Sequence, residues 1–464
     1  MNITFHGAAR QVSGSMFLLE THTGYKILID CGADLSKRPE SETELPFNVF
    51  DIDTVLLTHA HVDHSGKLPL LIHQGYCGQI LCTSPTYELT KLLLSDSAMI
   101  NTKRIQKIST MKFRRSHTNE DLSFLSMQSA ADTMDRFVTL GFHHRFEINK
   151  GIWVTFIPTG HLLGAANIFL EIEEEGKIKT ILFSGDLGRK NYPLLPDPSP
   201  VPQADYLICE ATYGNRSHTQ NNNAEDFVEK VINETCVEKS GRLIIPAFSV
   251  GRTQSILYTI FKLHLQGRLP KIKIFTDSPM AEISSKVYEN YIDLLNPEAQ
   301  ELFKQHHHLF DFENLRYIES FKESKAITNY YEPCIIISSS GMITGGRMQM
   351  HIKNNVNNPY CTIMMIGYAA EGTPGHKLQN GSKYIRIDGR DIPISARIVK
   401  TDIYSGHADR EDLMEFVKQQ DKNKLKKIFL VHGEYTSMQE LKEQLNHEGY
   451  SEVEIPAKAE AFVI

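Results

Sequence analysis

The segment Thr58-His59-Ala60-His61-Val62-Asp63-His64-Ser65-Gly66 decides the fold prediction. It follows an apolar run, residues 54–57, that is typical of a strand, and it precedes a helical pattern. Three imidazoles and one carboxylate so close together would be costly in a hydrophobic core and have no evident purpose in a solvated loop. A turn that points several donors at divalent metal ions explains them, and histidine with aspartate suits zinc.

One turn cannot complete two coordination shells, so further ligands must come from elsewhere in the chain. Candidates are His161, Asp186 and His432, each of which follows an apolar run and lies close to a glycine. Loops at the edge of a sheet would let such side chains converge. A single histidine of this kind is more often structural than a ligand, so the joint pattern carries the prediction.

This HxHxDH pattern with its downstream residues resembles the metallo-β-lactamase superfamily of dinuclear zinc hydrolases. The resemblance implies an α/β fold, the αββα sandwich, and a two-metal hydroxide mechanism with two Zn²⁺ ions, Mn²⁺ being an alternative. It assigns His59, His61 and His161 to one ion, Asp63, His64 and His432 to the other, and Asp186 to both. Asp30, in Ile29-Asp30-Cys31-Gly32, matches the family's first motif, an aspartate that supports the ligands from behind.

Three further motifs resemble motifs A, B and C of the β-CASP nucleases, which carry an inserted parallel α/β domain. They contain Glu210 in residues 207–214, His407 in residues 404–409, and His432. The resemblance implies a zinc-dependent ribonuclease similar to the bacterial and archaeal relatives of the cleavage and polyadenylation endonuclease. RNA is favoured over DNA, because the DNA-repair branch of the family usually lacks a histidine at motif C.

The implied catalytic residues are Asp63, His407 and Glu210. His407 would contact the scissile phosphate or protonate the leaving oxygen, with Glu210 orienting it. A neutral core histidine is the alternative for His407. Two other functions stay open: a DNA nuclease of the same family and a non-catalytic RNA-processing scaffold.

Two segments, residues 246–254 and 338–347, run from an apolar strand through a loop of small residues into a helix. Free backbone NH groups at a helix N-terminus bind phosphate well, although any strand-to-helix turn looks similar. Together with their likeness to β-CASP segments, they predict the RNA-binding residues Ser249, Gly251, Arg252, Ser339, Ser340, Gly341, Gly345, Gly346, Arg347 and His376.

Domain organisation follows from continuous apolar runs separated by helical patterns, which predict a parallel sheet covered on both faces. Five prolines between positions 193 and 202 mark either a boundary or an extended strap before it. The predicted domains are residues 1–204 with 393–464 for the metallo-β-lactamase fold, and residues 205–392 for the inserted β-CASP domain.

Composition limits how a nucleic acid could be bound. The 49 basic and 56 acidic residues of the 464 give a net charge of -7, so a polyanion must be met by a local patch or a metal rather than by the global field. The basic run over residues 103–115 is either a solvated helix face or such a patch. Single-stranded RNA is the expected partner, and a homodimer is left open.

Cysteine usage and hydropathy favour the cytoplasm. The seven cysteines are scattered and never form CxxC, which is typical of reduced thiols. The N-terminus shows no signal-peptide pattern, and no apolar run reaches the length of about 18 residues that a membrane span needs. We therefore expect a cytoplasmic protein without a membrane partner.

Overall fold

The computed structural model describes residues 1–112, 122–218, 223–367 and 369–464. In chain order the strands are β1 (Asn2–Gly7), β2 (Met16–Glu20), β3 (Lys26–Ile29), β4 (Thr54–Leu56), β5 (Gln79–Thr83), β6 (Phe137–Leu140), β7 (Phe146–Asn149), β8 (Ile152–Pro158), β9 (Ala166–Glu174), β10 (Lys177–Phe183), β11 (Tyr206–Glu210), β12 (Arg242–Pro246), β13 (Lys273–Asp277), β14 (Leu315–Tyr317), β15 (Cys334–Ser338), β16 (Thr362–Met365), β17 (Tyr384–Ile387), β18 (Arg390–Pro393), β19 (Arg397–Lys400), β20 (Lys427–Val431), β21 (Val453–Glu454) and β22 (Glu460–Val463).

The α-helices are α1 (Val62–Ser65), α2 (Leu68–His73), α3 (Ser84–Lys112), α4 (Met127–Met134), α5 (Ala224–Ile232), α6 (Arg252–Leu265), α7 (Pro279–Asn290), α8 (Pro297–His306), α9 (Phe321–Ile327), α10 (Gly346–Asn355), α11 (Pro374–Gln379), α12 (Arg410–Lys418) and α13 (Tyr435–His447). Part of the predicted basic run, Arg114 and Arg115, lies outside the described residues. Within the described ranges, no helix is both long enough and apolar enough to cross a membrane.

The chain divides into two compact units. The first contains Met1–Lys190, Asp197–Ser217 and His407–Ile464, and the second contains Asn191–Pro196 and His218–Gly406. These bounds differ from the domain boundaries expected from the sequence. Strand β11 pairs with β10 and β20 of the first unit, whereas β19 pairs with β16 of the second. Strand pairing therefore places the start and the end of the inserted unit later in the chain than residues 205 and 392, the bounds expected from the sequence.

The first unit is a sandwich of two sheets. Their strand orders are β22-β1-β2-β3-β4-β5-β6 and β21-β20-β11-β10-β9-β8-β7. The inner faces share one apolar core, in which Phe5 lies 5.1 Å from Phe429 and Phe17 lies 6.3 Å from Phe183 between ring centres.

Helices cover the outer faces of both sheets. Leu68 and Leu71 of α2 pack on one sheet, while α12 and α13 pack on the other. Each sheet thus buries one face against the other sheet and its second face against helices. Both faces are thereby removed from water. The predicted αββα sandwich is confirmed.

The second unit is built on a parallel sheet with the order β14-β13-β15-β12-β16-β19. Its central strand β15 is fully buried, as expected for a parallel strand covered on both faces. Helix α10 packs on one part of the sheet through Met348 and Ile352, and α9 packs elsewhere through Ile327. The predicted parallel α/β domain is confirmed.

Candidate metal-dependent active site

The predicted ligands lie in loops at the carboxyl ends of strands in the first unit. The segment from His59 to His64 follows β4, and His161, Asp186 and His432 follow β8, β10 and β20. Because β10, β11 and β20 are parallel, their carboxyl ends share one edge of the sheet. The chain folds closely here: a Cβ atom at Gly32 would lie 1.7 Å from the carbonyl oxygen of Asp63, so only glycine fits.

One group of donor atoms contains His59, His61, His161 and Asp186. His61 Nδ1 lies 3.1 Å from His59 Nε2 and 3.2 Å from His161 Nε2. Asp186 Oδ2 lies 3.5 Å from His59 Nε2 and 3.4 Å from His161 Nε2. Four ligand atoms around a tetrahedral zinc ion are about 3.3 Å apart, since each is about 2.0 Å from the metal. These spacings therefore fit one metal ion.

A second group contains Asp63, His64 and His432. His64 Nε2 lies 3.2 Å from His432 Nε2, and Asp63 Oδ2 lies 3.6 Å from that same atom of His432. The other oxygen of Asp186, Oδ1, lies 3.2 Å from His64 Nε2. Asp186 thus presents one carboxylate oxygen to each group, as a residue shared by two metal ions would.

The chemistry of the donor set fits metal ions. Asp186 is buried, and within the described part of the chain its Oδ1 atom has no well-aligned hydrogen-bond donor, although His64 Nε2 lies 3.2 Å away. A buried carboxylate oxygen in this state is costly unless a cation occupies the site. Burial lowers the pKa of His59 well below its ordinary value and that of His61 to about 4, so both rings are neutral. Neutral imidazoles and ionised carboxylates are the forms that bind metals.

The pKa values of Asp63 and His64 depend on the charged groups around them. Burial opposes ionisation of Asp63, but the hydrogen bond from His432 and the charge of His64 hold its pKa below the ordinary value. Burial also disfavours protonated His64, yet Asp186 and Asp30 raise its pKa well above the ordinary value. A metal ion bound by His64 would take the place of the proton on this ring.

Asp30 supports His64 from behind. Its Oδ2 atom accepts a hydrogen bond of 2.6 Å from His64 Nδ1, and its Oδ1 atom accepts one of 2.8 Å from the Thr58 backbone. The backbone of Asp30 is left-handed, with φ of 58°, an uncommon conformation that clusters at functional sites. This contact fixes the ring so that Nε2 faces the other ligands.

Two threonines in the site were not predicted from the sequence. Thr212 Oγ1 lies 3.1 Å from His432 Nδ1 and donates to the His432 carbonyl at 2.9 Å. Thr58 Oγ1 lies 3.0 Å from both oxygens of Asp30. Each adjoins a motif, since Thr58 directly precedes His59 and Thr212 follows Glu210 by two residues. That position is the signal that could have found them.

His407 and Glu210 lie beside the two groups. His407 Nδ1 is 3.3 Å from Glu210 Oε1 and 3.9 Å from Asp186 Oδ2. Backbone NH groups of Leu187 and Thr212 fix the buried Glu210 carboxylate at 2.7 and 3.2 Å. Glu210, His407 and Asp186 could also hold a metal ion by themselves.

The predicted phosphate-binding residues lie in the second unit, where their two loops follow the neighbouring parallel strands β12 and β15. Ser249 Oγ lies 2.9 Å from Ser278 Oγ, and Arg252 stacks on the ring of Phe248. In the other loop, Ser340 Oγ lies 3.2 Å from Thr344 Oγ1. The rest lie at or near helix N-termini: Gly251 before α6, Ser339, Gly341, Gly345 and Gly346 around the start of α10, and His376 in α11.

Arg347 makes its described contacts within the second unit. It donates to Asp277 Oδ1 at 2.6 Å and to the carbonyls of Ile318 and Glu319 at 2.8 and 2.6 Å. These contacts tie the start of α10 to the end of β13 and to the segment after β14. Such a network favours a structural use of this guanidinium.

The αββα sandwich and its cluster of histidines and aspartates define a metal-dependent hydrolase. Three family models match the chain: the metallo-beta-lactamase superfamily over residues 9–219, the Beta-Casp domain over 253–378, and the Zn-dependent metallo-hydrolase RNA specificity domain over 391–456. The chain belongs to the β-CASP family of the metallo-β-lactamase superfamily, which confirms the assignment made from the motifs.

Similar proteins come from bacteria and archaea. Ribonuclease TTHA0252 of Thermus thermophilus is 32% identical, over 94% of this chain and 93% of its own length. An RNase J-like protein of Methanocaldococcus jannaschii is 30% identical, over 93% and 92%. The transcription termination factor FttA of Methanosarcina mazei is also 30% identical, over 94% of this chain and 67% of its own length.

Proposed function

We propose that this protein is a ribonuclease that hydrolyses phosphodiester bonds of single-stranded RNA with two zinc ions, which manganese can replace. The observation that carries the proposal is the pair of ligand groups that share the two oxygens of Asp186. Relatives named as a ribonuclease and as RNase J-like, and the RNA specificity domain matched over residues 391–456, support RNA as the substrate.

The ligand groups have the arrangement that phosphodiester hydrolysis needs. Two divalent ions bound there would supply an activated water and would stabilise the charge that develops on the phosphoryl oxygens. His59, His61 and His161 hold the first position, and Asp63, His64 and His432 hold the second. Asp186 would contribute one oxygen to each position, and Asp30 keeps the ring of His64 in place.

In this proposal His407 is the general acid that protonates the leaving oxygen. Its Nδ1 atom faces the Glu210 carboxylate, which the NH groups of Leu187 and Thr212 hold in one orientation. A carboxylate in this position stabilises the protonated imidazole, so the ring can give a proton to the leaving oxygen. We infer that Glu210 acts by orienting His407 rather than by contacting the substrate.

The second unit contributes RNA contacts in the proposal. NH groups at the start of α10 would bind phosphates, with help from Ser249, Ser339, Ser340, Arg252 and His376. At the start of α6, by contrast, the backbone NH groups of Gly251, Arg252 and Thr253 already donate to groups of the protein, so the prediction of a phosphate contact at Gly251 is not supported. The geometry supports Arg347 mainly as a residue that holds its own loop.

The experiment compares matched RNA and DNA oligonucleotides with the purified protein in zinc or manganese. We expect cleavage of single-stranded RNA, and a loss of at least about 10³-fold for Asp63→Ala and His161→Ala, because transition-state stabilisation worth several kcal/mol disappears. Asp51→Ala is a matched control, since this carboxylate is exposed and pairs with Lys26. Circular dichroism verifies that each variant is folded.

The outcomes separate the alternatives. Equal RNA cleavage by the wild type and both variants would refute the proposed centre. Faster cleavage of DNA would indicate a DNA nuclease, and a metal-loaded protein that cleaves neither would indicate a scaffold. Substrates labelled at one end, with a 5′ phosphate or hydroxyl, distinguish internal cuts, which give a ladder, from stepwise release of mononucleotides.

A further inference from the structure

Two arginines stack on tyrosines beside the metal-binding residues of the first unit. Strands β11 and β20 are parallel neighbours, and Glu210 pairs with Val431 at their carboxyl ends. Tyr213 follows Glu210 by three residues, and Tyr435 follows His432 by three. Two turns at one sheet edge therefore each carry a tyrosine, of which Tyr213 is buried and Tyr435 is exposed.

The first stack is that of Arg216 on Tyr213. The Arg216 guanidinium carbon lies 4.7 Å from the centre of the Tyr213 ring, and this ring lies 5.8 Å from the ring of His407, edge to face. Two backbone hydrogen bonds hold this turn. The backbone NH of Arg216 donates to the Tyr213 carbonyl at 3.1 Å, and the backbone NH of Arg410 donates to the Arg216 carbonyl at 3.0 Å. The backbone of Arg216, an exposed residue, is thus held in this turn, and its guanidinium is linked to His407 through the ring of Tyr213.

The second stack is that of Arg10 on Tyr435. The Arg10 guanidinium carbon lies 5.0 Å from the centre of the Tyr435 ring, and Nη2 donates to the Ile455 carbonyl at 3.1 Å. The loop that carries Arg10 contacts the metal site, because His432 NH donates to the Ala8 carbonyl at 2.7 Å. Arg10 and Tyr435 are both exposed, so this stack is accessible to a ligand.

We propose that Arg10 and Arg216 bind backbone phosphates of the substrate RNA next to the scissile one. The inference rests on the proposed function and names substrate-binding residues for it. A stacked guanidinium loses little freedom when it binds, and its fork of donors matches phosphate oxygens. A chain with a net charge of -7 needs such local cations to hold a polyanion.

The tests are Arg10→Ala and Arg216→Ala, with Arg10→Lys and Arg216→Lys as conservative variants. Arg145→Ala is the matched control. Its guanidinium also stacks on a ring, that of Trp153 at 3.9 Å, and bonds to Glu171, but Trp153 lies at the amino end of β8, the end opposite to the one that leads to His161. The substrate is an unstructured RNA of about 12 nucleotides with a fluorescent label, cleaved at several salt concentrations.

We expect each alanine variant to raise KM about tenfold, the loss expected for one charge-assisted hydrogen bond, while kcat changes little. The slope of log(kcat/KM) against log salt concentration should fall by about 0.7 for each lost phosphate contact. The lysine variants should keep that slope, because they keep the charge. Arg145→Ala should match the wild type in both quantities.

An unchanged KM and salt slope in both alanine variants would overturn the inference. If the wild type cleaves no RNA, the proposed function fails by itself, and anisotropy of the same labelled RNA then tests the inference through binding. In that case, weaker binding with a smaller salt slope in Arg10→Ala and Arg216→Ala supports it. Equal binding by the wild type and variants, or no binding by the wild type, overturns it.

Discussion

Each unit of this protein contains a buried aspartate that accepts a hydrogen bond of 2.6 Å from a buried histidine. The pairs are Asp30 with His64 in the first unit and Asp277 with His351 in the second. They differ at the other ring nitrogen. His64 Nε2 lies 3.2 Å from both Asp186 Oδ1 and His432 Nε2, whereas His351 Nδ1 is buried without a hydrogen bond within the described part of the chain.

The comparison shows that a buried Asp–His pair does not by itself identify an active site. Asp277 also accepts hydrogen bonds from Ser324 at 2.5 Å and Arg347 at 2.6 Å, so it joins the end of β13 to α9 and α10. In the first unit the aspartate orients a proposed metal ligand, His64, whereas in the second it joins three elements. What the second nitrogen faces decides between these roles.

The largest effect that would sharpen the comparison is the loss of stability in Asp277→Asn. Arg347 and His351 would lose the carboxylate that compensates their burial, and removal of one partner from a buried ion pair costs about 3 kcal/mol or more. We expect the free energy of unfolding to fall by about that amount, measured by urea denaturation. Zinc affinity should stay that of the wild type. A variant as stable as the wild type would contradict the assignment.

The equivalent change in the first unit, Asp30→Asn, should act on the metal instead. An amide cannot orient and polarise the ring of His64 as a carboxylate does, and loss of such a partner costs about 10- to 100-fold in metal affinity or activity. Competition with a chromophoric chelator measures the zinc affinity, with Asp277→Asn as the control. If both variants bound zinc equally well, the distinction between the two pairs would fail.

The smallest effect concerns pH. Burial raises the pKa of Asp277, but hydrogen bonds from His351, Ser324 and Arg347 outweigh it, so its pKa lies below the ordinary value. A lowered folded-state pKa gives stability that is complete above the unfolded pKa of about 3.9 and is lost as pH falls through the folded value. The stability difference between the wild type and Asp277→Asn should therefore shrink below about pH 4. Urea titrations at neutral and acid pH measure it, and a constant difference would argue against this ion pair.

The parts of the protein that were predictable from the sequence are those where chemistry is concentrated in a short motif. A metal site could be predicted at His59 to His64 because burying so many polar donors in one turn without a bound ion would cost free energy. The parallel sheet of the second unit was predictable because strands buried on both faces are continuously apolar, as in β15. In both cases the local pattern and the global fold impose the same requirement.

Other features depend on partners that are distant in sequence. Residues 206–209 read as the first strand of the inserted domain, yet β11 pairs with β10 and β20. Residues 394–400 read as part of the metallo-β-lactamase domain, yet β19 pairs with β16. The sequence of an apolar strand does not show which sheet it joins, because its backbone can form the same hydrogen bonds in either sheet.

The sequence by itself determined the family, the two kinds of domain and the set of metal-binding candidates, because residue type and spacing carry that chemistry. Only the tertiary structure decided which oxygen of Asp186 faces each ligand group, that Thr58 and Thr212 contact the site, and that Arg347 pairs with Asp277. Arg10, Arg216 and Arg347 are all arginines near loops or helix ends in the sequence. What each does depends on the group that folding brings against its guanidinium, and that group lies, for Arg10 and Arg347, on another segment of the chain.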